Sequence, residues 1–128
     1  MSRHKHHLLV IDDDATLLRL MQELFEDEGM VVTTAIDGAV GIAKLSAFYK
    51  AHLLPCLMIV DLMMPKVSGI EIIAFARKLG QQLPIIAMSA NTDALFSARQ
   101  SGANTVLSKP FDIDELLSRI HGHCALTT

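Results

Sequence analysis

An apolar run, Leu8 to Ile11, leads directly into three aspartates, Asp12, Asp13 and Asp14. Three further apolar runs end in polar residues: Cys56 to Val60 stops at Asp61, Pro84 to Met88 stops at Ser89, and Thr105 to Ser108 stops at Lys109. Taken singly, each has an ordinary reading. Aspartates ahead of a helix cap it, a lone Asp or Ser after a strand makes a turn, and a Lys is a solvated charge. Taken together they have a different one, provided the fold brings them to one place. Carboxylates gathered within a few ångströms repel and need a cation among them. With no Cys or His beside them to favour zinc, a hard oxygen-seeking ion such as Mg2+ fits best. A charge of about −3 from Asp12, Asp13 and Asp61 is balanced by about +2 from the ion and +1 from Lys109. Esterifying one carboxylate with a phosphoryl dianion then leaves excess negative charge, for which the Ser89 hydroxyl and Lys109 ammonium are donors. An in-line nucleophile, a bridging cation and donors where charge spreads are what phosphoryl transfer requires.

The elements that must position these groups alternate along the chain. After the first run, Leu17, Leu18, Met21, Leu24 and Phe25 form one helical stripe that Gly29 ends. Val31 to Ala35 reads as a β-branched strand, and Asp37-Gly38 turns into a helix reaching about Tyr49, before Pro55. Beyond Asp61, a loop with Pro65 and Gly69 leads to a helix carrying Ile72, Phe75, Ala76 and Leu79. Asn91 and Thr92 stand where they could cap a weakly amphipathic helix ending near Gly102. Asp112 and Glu115 have capping-box spacing for a last helix, with Phe111 and Leu116 as its hydrophobic staple. Five strand-helix pairs predict an α/β domain with a parallel sheet, in which ligands gather outside the carboxyl ends of the strands.

Composition narrows the function. A chain of 128 residues fits a single domain, read here as residues 1–128 with a short leader (1–6) and a tail (123–128). A hydrophobic share of 51% and a charge of −3 fit a globular chain and give no electrostatic reason to bind nucleic acid or an anionic membrane directly. No apolar run is long enough to span a bilayer. Two cysteines, Cys56 in an apolar run and Cys124 in the tail, offer no disulfide framework, which points to a reducing, cytoplasmic setting with Cys56 in the core. His4, His6 and His7 are more simply a solvated end than a metal site.

The passages LLVIDDD, IVDLMMPKVSG, PIIAMSA and LSKPFDIDELL occur in this order with near-equal gaps, and the chain from Leu8 to Ile120 resembles the receiver domain of bacterial two-component response regulators. The resemblance implies a doubly wound, flavodoxin-like (βα)5 fold with a five-stranded parallel sheet of order 2-1-3-4-5. It implies a regulatory domain that assists only its own phosphorylation and dephosphorylation. Asp61 would be the phosphoacceptor, and Asp12, Asp13, Asp61 and the backbone carbonyl of Met63 would hold Mg2+, with Mn2+ able to substitute. Ser89 and Lys109 would bind the phosphoryl oxygens, small Ala90 would leave the group accessible, and Met63 and Asn91 would tune its lifetime. The bond from Lys109 to Pro110 would be cis.

Two positions depart from the pattern. Val106 stands where many relatives carry an aromatic ring that swings inward on activation, so output is expected through the Ser89 loop and the helix after it. Asn104-Thr105 replaces acidic residues found in relatives that dimerise through the fourth helix, fifth strand and fifth helix, which points to a monomer or weak dimer. The implied partners are a histidine kinase or histidine phosphotransfer protein upstream and an unknown protein downstream, meeting the face around the fourth helix and fifth strand. Two other readings compete: a receiver-like binding module that works without phosphorylation, and an aspartyl-phosphate phosphatase. The phosphatase would want a second Asp where Met63 stands.

Overall fold

Short runs of apolar residues become strands here because both faces of the sheet are covered, so each run can be apolar throughout. The computed structural model describes residues 6–80 and 82–124. It has five strands, β1 (His7–Ile11), β2 (Val31–Ala35), β3 (Leu57–Asp61), β4 (Ile85–Ser89) and β5 (Thr105–Ser108). They alternate with five helices, α1 (Ala15–Asp27), α2 (Gly38–Lys50), α3 (Gly69–Leu79), α4 (Thr92–Ser101) and α5 (Ile113–His123). All pairings are parallel and the strand order is β2-β1-β3-β4-β5, the doubly wound order expected.

Strand pleating divides the core in two. Leu9 and Ile11 of β1, with Met58 and Val60 of β3, face one side and pack with Leu45 of α2, Ile72, Ile73 and Ala76 of α3 and Ala98 of α4. Their neighbours Leu8, Val10, Leu57 and Ile59 face the other side, against Leu18, Met21 and Phe25 of α1 and Leu116 and Ile120 of α5. Leu17 is only partly buried and Leu24 is exposed, so the apolar stripe of α1 is narrower than its sequence suggests.

Helix starts follow their caps. The carboxylate of Asp14 accepts from the N–H groups of Thr16 and Leu17, Asp37 from Val40, and the Asn91 side chain from Ala94. The expected capping box of α5 is not the one that forms: Asp112 accepts from the N–H of Asp114 instead of Glu115. A complete box opens α3, where Ser68 accepts from Glu71 N–H and the Glu71 carboxylate accepts from Ser68 N–H. Phe111 and Leu116 do share a cluster, as a staple would.

Three expectations at the chain ends are corrected. Helix α5 runs through His123 and Cys124 is buried, so the fold extends into the stretch read as a tail. Cys56 and Cys124 form a disulfide. They lie 68 residues apart in sequence, and only the return of α5 across the sheet brings them together. The pairing removes the ground on which a reducing compartment was expected. The histidines near the start of the chain are not simply solvated: His7 opens β1, its Nε2 lies 3.1 Å from Thr33 Oγ1 and its ring meets Phe48 edge-on, while His6 is partly buried. His4 lies outside the described residues. Among the described residues no helix is long and apolar enough to cross a membrane.

Candidate phosphoacceptor site

Strand order reverses at β1, which has β2 on one side and β3 on the other. A cleft opens at such a point because the connections on either side leave in opposite directions. Asp12 and Asp13 follow β1 at this place and Asp61 is the last residue of β3. One carboxylate oxygen from each of the three lies within 4.8 Å of the others. The residues expected to converge from separate strand ends do so.

Hydrogen bonds that extend the sheet past its strands hold the rim. Asp12 N–H donates to the Ala35 carbonyl (3.1 Å), Leu62 N–H to Met88 (2.9 Å) and Lys109 N–H to Ser89 (2.9 Å). The last of these fixes Lys109 beside Ser89. Asp12 is fully buried, with Oδ1 accepting from Asp14 N–H at 2.9 Å. The Lys109 ammonium reaches Asp12 Oδ2 at 3.2 Å and Asp61 Oδ1 at 3.5 Å. Asp61 Oδ1 also accepts from Met63 N–H at 3.3 Å. Asp13 is exposed at the mouth.

These contacts leave the site under-neutralised. Burial pushes the Asp61 carboxyl above its ordinary value of 3.8, and the Asp12 carboxylate pushes it further. The Lys109 ammonium and Met63 N–H oppose this, and Asp13 adds a smaller upward push. One partly exposed ammonium among three carboxylates is too little positive charge, and the donor set is entirely oxygen. A hard divalent ion fits both facts.

The remaining site residues stand as follows. Ser89 is fully buried and its Oγ accepts from Asn91 N–H at 3.0 Å. Ala90 is exposed, Met63 is 57% exposed, and the Asn91 side chain caps α4. The Lys109-Pro110 peptide is cis. Val106 is partly buried, packing against the α2–α3–α4 side of the core.

Sequence reasoning placed Gly69 in a loop and missed its packing role: it opens α3, and its backbone passes so near the phosphoacceptor strand that an added Cβ would lie 2.5 Å from the Asp61 carbonyl oxygen. It also missed Arg77, which donates to the carbonyls of Leu83 and Gly102 and to Asn104 Oδ1, tying α3 to the loops before β4 and β5. Asn104 Oδ1 accepts from Ile85 N–H as well, so this departure from the family pattern has a structural task. Arg77 carries no sequence signal and the spacing around Gly69 does not reveal its close approach, whereas Ser68-x-x-Glu71 was a legible capping box.

The family description "Response regulator receiver domain" matches residues 8–121. This chain belongs to the receiver-domain family. Among curated relatives, the response regulator ArlR of Staphylococcus aureus is 37% identical over 118 residues, covering 88% of this chain and 50% of ArlR. The chain likewise spans about half the length of the transcriptional regulators it matches. Chemotaxis protein CheY4 of Vibrio cholerae superposes with a TM-score of 0.82 at 26% identity, covering 94% of this chain and all of that one. A second structure, the CheX–CheY complex of Borrelia burgdorferi with BeF3 and Mg2+, shares the fold with a TM-score of 0.81 at 24% identity, covering 91% and 87% of the two chains. The receiver domain is thus a module of two-component signalling, and its fold is that of the CheY-like proteins.

Proposed function

We propose that this receiver domain is a phosphorylation-controlled switch in which Asp61 takes a phosphoryl group from a phosphohistidine of a kinase or phosphotransfer protein. The observation that carries the reading is a buried Asp61 held beside Asp12, Asp13 and Lys109 at the strand-order reversal. An Asp61 carboxylate oxygen attacks phosphorus, the P–N bond to imidazole breaks, and the imidazole leaves with the bonding electron pair. Lys109 withdraws from its carboxylate contacts to meet a phosphoryl oxygen. Ser89, whose Oγ accepts only through a lone pair here, keeps its O–H to donate to another. Asp12, Asp13, Asp61 and the Met63 carbonyl are the residues that would hold Mg2+, or Mn2+ in its place. The ion supplies positive charge where phosphoryl oxygens gather and relieves carboxylate repulsion. The Borrelia CheY complex, with its Mg2+ and phosphoryl mimic, supports this assignment by analogy of fold.

Output follows from the link between Ser89 and α4. A move of the Ser89 hydroxyl toward the phosphoryl group strains its bond with Asn91 N–H, and Asn91 caps α4. Val106 has no ring to relay the change, so the displaced β4–α4 loop and α4, with Phe96 exposed on it, form the surface that a downstream protein reads. Ala90 leaves the phosphoryl group open to donors and water, and Met63 and Asn91 set its lifetime. The protein acts as a monomer or weak dimer.

Incubation with Mg2+ and a small-molecule phosphodonor, followed by intact mass measurement, tests the proposal. A gain of one phosphoryl mass that Asp61→Asn abolishes is expected. No gain, or equal labelling of the variant, overturns it.

A further inference from the structure

At the end of the sheet opposite the acidic rim lies a second cluster that phosphoryl chemistry does not use. His6 precedes β1, Cys56 precedes β3 and Cys124 follows α5, and one ring nitrogen and two sulfurs lie within 4.8 Å of one another. Main-chain hydrogen bonds hold all three residues. The His6 carbonyl accepts from Val31 N–H, Cys56 N–H donates to His7, and Cys124 N–H donates to Ile120, each at 2.8 Å. Cys124 is buried, and His6 and Cys56 are partly so. The disulfide accounts for the two sulfurs. It gives no reason for an imidazole nitrogen at the same point.

We propose that, when the Cys56–Cys124 pair is reduced, Cys56, Cys124 and His6 bind Zn2+, with water in the fourth position. Two thiolates and an imidazole are a borderline-soft donor set that suits zinc and gives Mg2+ no purchase. Two thiolate charges cancel those of the ion, so the site is neutral where Cys124 is buried. The chain thereby sorts two cations by donor type, a hard one at the oxygen rim and zinc at the sulfur end. A dithiol reductant supplies the first step: it delivers two electrons and two protons to the disulfide and leaves as its own disulfide. Zn2+ then displaces the two thiol protons as it binds. The disulfide joins the start of β3 to the end of α5, and the metal would tie the start of β1 to both, so only the reduced, metal-free chain releases that helix end.

The test uses the whole chain, reduced with a phosphine, stripped of metal and kept in excess Mg2+ so that the acidic rim is occupied. Titration with Co2+ is expected to give thiolate-to-cobalt charge-transfer absorption that saturates at equimolar metal and is bleached by Zn2+. Reoxidation to the disulfide should abolish it. Cys124→Ser should remove the band, and His6→Ala, on the flank of the sheet, should weaken Zn2+ binding at least ~10-fold, the size of effect seen when even an outer partner of a metal ligand is lost. Absence of the band in reduced, folded protein overturns the proposal. So does undiminished affinity in a folded His6→Ala variant, which would leave a cysteine pair serving as a disulfide only.

Discussion

Replacing Gly69 by alanine should damage the fold and the acidic site together. Gly69 opens α3 directly behind the phosphoacceptor strand. A Cβ there would lie 2.5 Å from the Asp61 carbonyl oxygen, 2.7 Å from Leu62 Cα and 2.9 Å from Leu62 Cδ2. Ordinary carbon contacts are ~3.5–4.0 Å, so the neighbours must retreat by about 1 Å. Two of the three are backbone atoms of the segment that carries Asp61, and no side-chain rotation relieves them. Forcing a methyl group into packed surroundings costs ~1–3 kcal/mol. The higher helix propensity of alanine returns at most ~1 kcal/mol, which leaves a net loss of up to about 2 kcal/mol. For a chain of this size that lowers Tm by up to about 8 °C. The retreat displaces the Asp61 carboxylate from Asp12 and Asp13, so Mg2+ affinity should fall as well. Urea melts give the first quantity and magnesium titration calorimetry the second. Gly122→Ala in α5 is the control, because nothing lies within 4 Å of its added Cβ, and it should be neutral or stabilising. If Gly69→Ala matches wild type in both measurements, the close approach does not constrain the site and the reasoning fails.

Other outcomes follow from the same geometry. Because burial and Asp12 raise the Asp61 carboxyl above 3.8, the folded, metal-free chain keeps a proton that the unfolded chain has lost between 3.8 and the raised value. Over that interval the Asp61 contribution to stability falls as pH rises, so the stability of Asp61→Asn relative to wild type should grow with pH in EDTA; a constant difference across a series of urea melts would contradict this. Mg2+ at 100 times its Kd should stabilise the protein by ~2.7 kcal/mol, and a thermal-shift assay should show much of this gain lost in Asp13→Asn. Arg77→Ala removes charged donors from the Leu83 and Gly102 carbonyls and from Asn104 and should cost about 2 kcal/mol by urea unfolding. Arg77→Lys should recover little of it, since an ammonium lacks the planar fork that spans these acceptors.

The order of elements and the residues of the acidic rim were legible because both depend on local patterns. A strand covered on both faces reads as an unbroken apolar run, so β1 and β4 show directly, and Asp12, Asp61, Ser89 and Lys109 stand out as the polar residues that end such runs. Parallel topology then forces those ends to one edge of the sheet, which is why Asp12, Asp13 and Asp61 could be brought together before any distance was known. Capping was legible only in part. Ser68 and Glu71 were passed over although their spacing was plain, while Asp112 and Glu115 had the spacing without the bond. Spacing permits a capping box, but the path of the chain into the helix decides which N–H the side chain meets.

Sequence by itself determined which residue types end each strand, and through them the hard-ion chemistry of the rim. Tertiary structure alone decided the joining of Cys56 to Cys124 with His6 beside them, the reach of Arg77 across three segments, and the closeness of Gly69 to Asp61. Those relations arise where separate layers meet, between residues whose separation in the chain carries no periodic signal. They depend on the angle at which a helix crosses the sheet and the depth to which its side chains pack, and such quantities exist only once the core has closed.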